Sequence, residues 1–288
     1  MLSKFTKPTN QSNKIKLESK ILYCTWSYGR AWAGTKSSFD VKTVFVGNGA
    51  NIKIKLKNNS GKTLQKKEGK TYKNIYKGEI DIPDKFKIGD MIYLETELPK
   101  HGVFCESNLI PIMPQIKIKN MGWDKKEIYN GEEVKIFAKF LDMPDNIPLK
   151  IHIFEYDSYG YHDPIAVIPT EINNNSFEVL WKFNYPENVT KIPTAVKLKP
   201  YKREYQQPKF FFILNIDGVK IGTSYESGFL TFCDPIIVKL LDGLGNPIKN
   251  KEVIIHLPDG TEEETKSDEN GIVKSKKDMP GKSYIEIK

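Results

Sequence analysis

The sequence predicts an all-β protein of tandem sandwiches, and three observations carry that prediction. Helical periodicity is nearly absent over the 288 residues. Short apolar or alternating runs recur instead, rich in Ile, Val, Phe and Tyr and punctuated by Gly, Asn, Asp and Pro, which is the pattern of half-buried strands joined by turns. One of these patterns also occurs twice along the chain, the mark of a duplicated structural unit.

The start, MLSKFTKPTNQSNKIKLESK, is polar and lysine-rich and has no apolar core of a secretory signal, so residues 1–20 read as a flexible basic arm. No run of about 18 or more apolar residues follows, so no membrane span is expected. Synthesis and residence in a reducing cytoplasm fit the three cysteines, Cys24, Cys105 and Cys233. They are too few and too far apart for a disulfide framework, contain no C-x-x-C pair for zinc, and sit in or beside apolar runs where each reads as a small buried hydrophobe.

Residues 21–115 form the first sandwich. CTWSYGRAWAGTKSSFDVKTVF, from Cys24, aligns with MGWDKKEIYNGEEVKIFAKF, from Met121, with Trp26 and Trp123 preceding Gly34 and Gly131 and then an alternating strand. Trp26 and Trp123 read as equivalent core residues. FCESNLIPIMP, from Phe104, aligns with SYESGFLTFCDP, from Ser224, so that Glu106-Ser107 and Glu226-Ser227 mark one repeated turn. Duplication at equivalent places points to structure, because active sites are seldom made twice. The second sandwich spans residues 116–233, its extra length lying in a proline-punctuated loop at 185–209. Short strands with this spacing predict immunoglobulin-like sandwiches.

The net charge of +8 is uneven: residues 1–120 hold 22 Lys+Arg against 10 Asp+Glu. In NIKIKLK, however, Lys53, Lys55 and Lys57 alternate with Ile52, Ile54 and Leu56, so the lysines share one solvated strand face. With no stacking aromatics or helix-turn-helix pattern beside them, nucleic acid is not the expected partner.

Residues 234–288 form a smaller five-strand unit, marginal alone at this size and expected to lean on the second sandwich through the FCDP junction. Its Asp259, Glu262, Glu263, Glu264, Asp268 and Glu269 crowd eleven positions. Calcium loops need a D-x-[DN]-x-[DN]-G spacing with a distal Glu, which Asp268-Glu269-Asn270-Gly271 lacks, so these carboxylates read as turn and edge residues. The other ligand-rich stretch, EYDSYGYHDP, offers Glu155, Asp157, His162 and Asp163 to a divalent metal or to acid–base catalysis, but Asp157-Ser158-Tyr159-Gly160 also reads as a hairpin turn. His101, His152 and His256 lie in or next to strands, and no nucleophile elbow or phosphate-binding glycine pattern occurs. No enzyme and no cofactor are expected.

The last unit resembles the small transthyretin-like (carboxypeptidase-regulatory-like) module. The matching elements are Asp242, Gly245 and Pro247; Leu257, Pro258, Asp259 and Gly260; Ser267, Asp268 and Gly271; and Pro280, Gly281 and Tyr284, with one extra residue between Gly281 and Tyr284. Such modules occur on the tips of valine–glycine-repeat spikes of type VI secretion and related contractile injection systems. MGWDKKEIYNGEEVKIFAKF, IHIFEYDSYGYHDPI, PKFFFILNIDG and YESGFLTFCD are similar to uncharacterised proteins associated with those spikes. The resemblance implies two immunoglobulin-like sandwiches followed by a transthyretin-like β-sandwich. It also implies a structural adaptor made in the cytoplasm, exported with an injection apparatus and bound to spike, tube or effector proteins. The docking residues it nominates are Leu257, Pro258, Asp259, Gly260, Thr261, Asp268, Asn270 and Gly271. A cell-surface adhesin or carbohydrate-binding protein is the rival expectation, and a secreted effector the third.

Overall fold

Alternation becomes pairing along almost the whole chain. The computed structural model describes residues 16–87, 89–187 and 191–288; most of the basic arm predicted at 1–20 lies outside them. The first unit runs β1 (Lys20–Trp26), β2 (Ala31–Trp32), β3 (Lys36–Val44), β4 (Ala50–Asn58), β5 (Thr63–Thr71), β6 (Ile75–Asp81), β7 (Met91–Leu98), β8 (Val103–Glu106) and β9 (Ile110–Met113). One sheet has the order β1-β3-β6, and the other the order β2-β9-β7-β4-β5 with β8 paired to β7. Ile52, Ile54 and Leu56 of β4 are fully buried and meet Phe39 and Val41 of β3 in one core, as period-two alternation requires. Lys55 and Lys57, on the other face of β4, share the Glu95 carboxylate of β7, and Lys53 pairs with Glu68 of β5. The lysine face is thus largely neutralised by its neighbouring strands.

The second unit repeats the plan with β10 (Lys117–Trp123), β11 (Glu127–Ile128), β12 (Glu133–Leu141), β13 (Ile147–Glu155), β14 (Asp163–Ile172), β15 (Ser176–Lys182), β16 (Lys209–Ile216), β17 (Val219–Ile221) and β18 (Leu230–Phe232). Its sheets are β10-β12-β15 and β11-β18-β16-β13-β14, with β17 on β16. The repetition reaches fine detail. Pairing of β1 with β3 slips between Ile21 and Tyr23, and pairing of β10 with β12 slips between Ile118 and Asn120. The short strands β2 and β11 each add in parallel to β9 and β18 respectively. Asn74 Oδ1 accepts from Val46 N–H, as Asn175 Oδ1 does from Met143 N–H.

The two tryptophans diverge. Trp26 is buried against Phe39, whereas Trp123 is half-buried between Trp181 and Phe212 and its indole N–H donates to Gly228 O at 3.3 Å. The repeated Glu-Ser motifs also differ locally. Glu106 closes β8, while Ser224–Ser227 is a single helical turn whose Glu226 N–H donates to Thr223 Oγ1. The serines nevertheless do the same work: Ser107 Oγ accepts from Leu94 N–H at 2.9 Å, and Ser227 Oγ from Phe212 N–H at 3.3 Å. Each hydroxyl satisfies a backbone donor that the sheet leaves open.

The final residues form β19 (Ile237–Lys239), β20 (Glu252–His256), β21 (Glu262–Lys266), β22 (Ile272–Lys274) and β23 (Tyr284–Ile287). β19 pairs with β22, and β21-β20-β23 forms a second small sheet over a core of Leu240, Val253, Ile255, Leu257 and Val273. By contacts the chain divides into Met1–Gln115 and Ile116–Lys288, so this small module belongs to the same compact unit as the second sandwich.

Candidate docking module and its clamp

The crowded carboxylates are turn hardware. Asp259 Oδ1 accepts from the N–H and the hydroxyl of Thr261 at 2.9 and 2.7 Å. Asp268 Oδ1 accepts from Asn270 N–H and Ile272 N–H, both at 2.8 Å, and closes the next turn in the same way. Aspartate is the residue for this task because its short side chain reaches the backbone two residues on. Glu263 bridges to the Ser275 hydroxyl and the Lys276 N–H. Glu264 pairs with Lys288, Glu269 with Lys249, and Glu262 and Glu286 flank His256 at 3.2 Å on either side. Among the described residues no group of three or more His, Cys, Asp or Glu is arranged to hold a metal ion.

Within the loop predicted at 185–209, the described residues hold a helical turn at Ala195–Leu198 and a 3-10 turn at Lys199–Tyr201, and they strap the module to the sandwich. Ala195 N–H donates to Pro258 O at 2.8 Å, and the Tyr205 hydroxyl donates to Pro280 O at 2.7 Å. Gln207 Nε2 donates to Phe232 O and to Asp278 O at 2.8 and 3.2 Å. From the body of the sandwich, the Tyr129 hydroxyl donates to Asp278 Oδ2 at 2.7 Å, and Asp278 O also accepts from Asp234 N–H. These bonds cross 75 residues or more of sequence in the tyrosine cases.

The clamp sorts the nominated docking residues. Leu257, Pro258 and Gly271 are buried, and Asp259 is half-buried with its carboxylate turned to Thr261 and Lys277. Gly260, Thr261, Asp268 and Asn270 remain exposed at the hairpin tips. Pro258 is covered because the strap lies on it: a Cβ added to Gly260 would meet Ala195 Cβ at 3.3 Å, and one on Gly281 would meet Ile192 Cγ2 at 3.2 Å.

The clamp tyrosines carry a pH signature. Hydrogen bonding to the Asp278 carboxylate pushes the Tyr129 pKa up to about 12, and burial pushes Tyr205 up further. Both values lie above the ordinary tyrosine value of about 10. Their contribution is therefore complete below about pH 10 and fades as pH rises through the folded-state values. Resistance of residues 234–288 to denaturant should fall between about pH 10 and 12, and Tyr129→Phe should blunt that pH dependence. Unchanged resistance of the wild type across that window would contradict the clamp.

EYDSYGYHDP forms the turn from β13 to β14. His162 is held in an aromatic stack, 5.3 Å from the Tyr156 ring and 4.9 Å from that of Phe211, and its Nδ1 accepts from Asp157 N–H at 3.1 Å. It is a packing and turn residue. Cys24 and Cys233 are buried and Cys105 half-buried, all as free thiols. Burial lifts the Cys24 pKa to about 11, which keeps it protonated and unreactive. No described helix is long and apolar enough to cross a membrane.

No family model matches the chain, and no curated protein sequence matches it. Among solved structures it is similar to a tetra-tandem repeat in the extending region of a large adhesion protein, at 8% identity and TM-score 0.29, covering 93% of this chain and 73% of that one. It is also similar to the D0–D1 domain of intimin, at 10% identity and TM-score 0.27, covering 74% and 98%. A third is the chicken CNTN1 FN1–FN3 domains, at 7% identity and TM-score 0.38, covering 71% and 64%. The all-β class of this chain, with several packed sheets, rests on its own strand pairing.

Proposed function

We propose that the chain is a non-enzymatic adaptor in which two β-sandwiches carry and orient a C-terminal docking module. The observation that supports this reading most directly is the clamp. The bonds from Tyr129, Ala195, Tyr205 and Gln207 hold the module by its covered side and leave Gly260, Thr261, Asp268 and Asn270 free. A module held in one orientation loses less freedom on binding, so a modest contact area serves better there than on a loose tether. The transthyretin-like pattern suggests the partner: a spike, tube or effector protein of a type VI-like contractile injection system, met by strand addition or by the hairpin tips. The test is a pull-down of the full chain with spike and tube proteins. Wild type is expected to be retained, and Thr261→Arg together with Asn270→Arg is expected to abolish retention. Failure to bind any component of the apparatus would overturn the assignment.

A cell-surface adhesin is the second reading. The observation that favours it is a set of exposed tyrosines, Tyr159 and Tyr161 in the turn at 157–162 and Tyr201 on the strap.

A further inference from the structure

The turn at 157–162 and the strap enclose a groove that module docking does not use. Glu155, Asp157 and Asp163 line it from the β13–β14 side, and Arg203, Glu204 and Gln206 from the strap, with Tyr156 and Tyr159 between them. We propose that this groove binds a neutral saccharide.

Charge narrows the ligand first. Four carboxylates oppose an anion, while Arg203 and Lys191 in the same lining offset half of that charge and weaken the pull on a cation. A neutral ligand rich in hydroxyls suits both signs, since each hydroxyl donates to a carboxylate or accepts from a guanidinium or amide. These groups are also planar, able to meet two neighbouring hydroxyls at once.

Shape narrows it further. The cavity is about 230 Å³, below the roughly 300 Å³ at which drug-sized pockets begin. A single ring fits inside, with the rest of an oligosaccharide lying on the surface. Tyrosine supplies a flat apolar face for the C–H side of a sugar ring and a hydroxyl for its polar edge, and with Arg203 over one face of Tyr159 it is the other face that a sugar would use. Tyr159 is half exposed, and Tyr161 and Tyr201 are 84% and 75% exposed in the same two segments.

The groove is already built before any ligand arrives. Arg203 Cζ lies 3.8 Å from the Tyr159 ring centroid, and Gln206 Nε2 donates to Ser158 Oγ at 3.0 Å, so turn and strap are pinned to each other. His162 fixes the root of the turn through Asp157 N–H and the Tyr156 stack. A site held in its working shape avoids the ordering cost that weakens loop-borne sites.

The experiment uses the full chain on an array of neutral and charged glycans, followed by calorimetric titration with the best neutral oligosaccharide. Binding is expected, and Tyr159→Ala and the isosteric Asp163→Asn are each expected to weaken it about tenfold or more, the loss of one stacking or hydrogen-bonding contact. Glu262→Gln, on the module, should leave it unchanged, and unaltered thermal midpoints would show that the variants fold. The proposal is overturned by no retention of any neutral glycan, by binding that survives Tyr159→Ala and Asp163→Asn, or by a groove that takes only a charged glycan or a peptide. The pull-down with spike and tube proteins reads Thr261 and Asn270, neither of which lines the groove, so each result stands by itself.

Discussion

Replacing Phe183 by alanine is expected to destabilise the second unit by about 3–5 kcal/mol, the range for deleting a buried aromatic ring. Phe183 follows β15, is fully buried, and has its ring 5.5 Å from that of Trp181, 5.2 Å from Phe210 and 5.1 Å from Phe232. Three rings on three sides leave little room for collapse, so most of the cavity should persist. The damage should also spread in a definite direction. Phe232 stacks on Tyr185 at 4.9 Å and its carbonyl accepts from Gln207, so loosening Phe232 reaches the root of the strap. Denaturant titration gives the magnitude, and amide exchange locates it, with faster exchange expected in residues 209–233 before the module loses protection. Phe183→Leu, which refills most of the space, should cost clearly less. A shift below about 1 kcal/mol would show that the ring cluster does not hold this core.

Gly271→Ala is expected to cost roughly 2–4 kcal/mol, combining the left-handed backbone penalty with the strain of overpacking. Gly271 has φ +73°, and a Cβ there would lie 2.6 Å from Leu240 O and 3.2 Å from Ile248 N. Both obstacles are backbone, and Leu240 N–H itself donates to Gly271 O at 2.8 Å, so the alanine must push apart the strands it joins. Gly245→Ala is the matched control. Its φ is +86° but a Cβ there meets nothing within 4 Å, so only the conformational penalty of about 1–2 kcal/mol applies. Thermal unfolding of the two variants side by side checks this. Equal losses would mean that the close approach to Leu240 is not what selects glycine. Partner retention should fall with Gly271→Ala, because Asp268 and Asn270 ride on the same turn.

The architecture was legible because its determinants are local. In NIKIKLK the alternation alone assigns Ile52, Ile54 and Leu56 to the core, and Asp268 with Gly271 announces a tight turn whatever lies beyond it. The repeat was legible too, down to Ser107 and Ser227. Tertiary context overrode local signals at Trp123, which stays half-buried because Gly228 O draws its indole N–H to the rim. The clamp was not legible. Nothing near Ala195 signals that its N–H meets Pro258 O, and nothing near Tyr205 points to Pro280, because such pairings follow from the path of the chain. For the same reason Leu257 and Pro258, nominated as docking residues, are covered, and the groove between the turn and the strap, joined by Ser158 and Gln206 from 48 residues apart, carries a local signal on the turn side alone.

The strap has one more property, and it concerns proteases. Lys197 and Lys202 lie exposed on it, making it a ready target for a trypsin-like enzyme, whereas the bond after Lys199 is guarded by Pro200. A cut there falls between two attachments, Ala195 to Pro258 on one side and Tyr205 to Pro280 on the other. Both new ends stay tied to the module, so the nicked molecule is held together by its own contacts. Such a nick separates cleavage from release, and its two fragments would part only when the second sandwich itself opened, because β16 on one fragment pairs with β13 on the other.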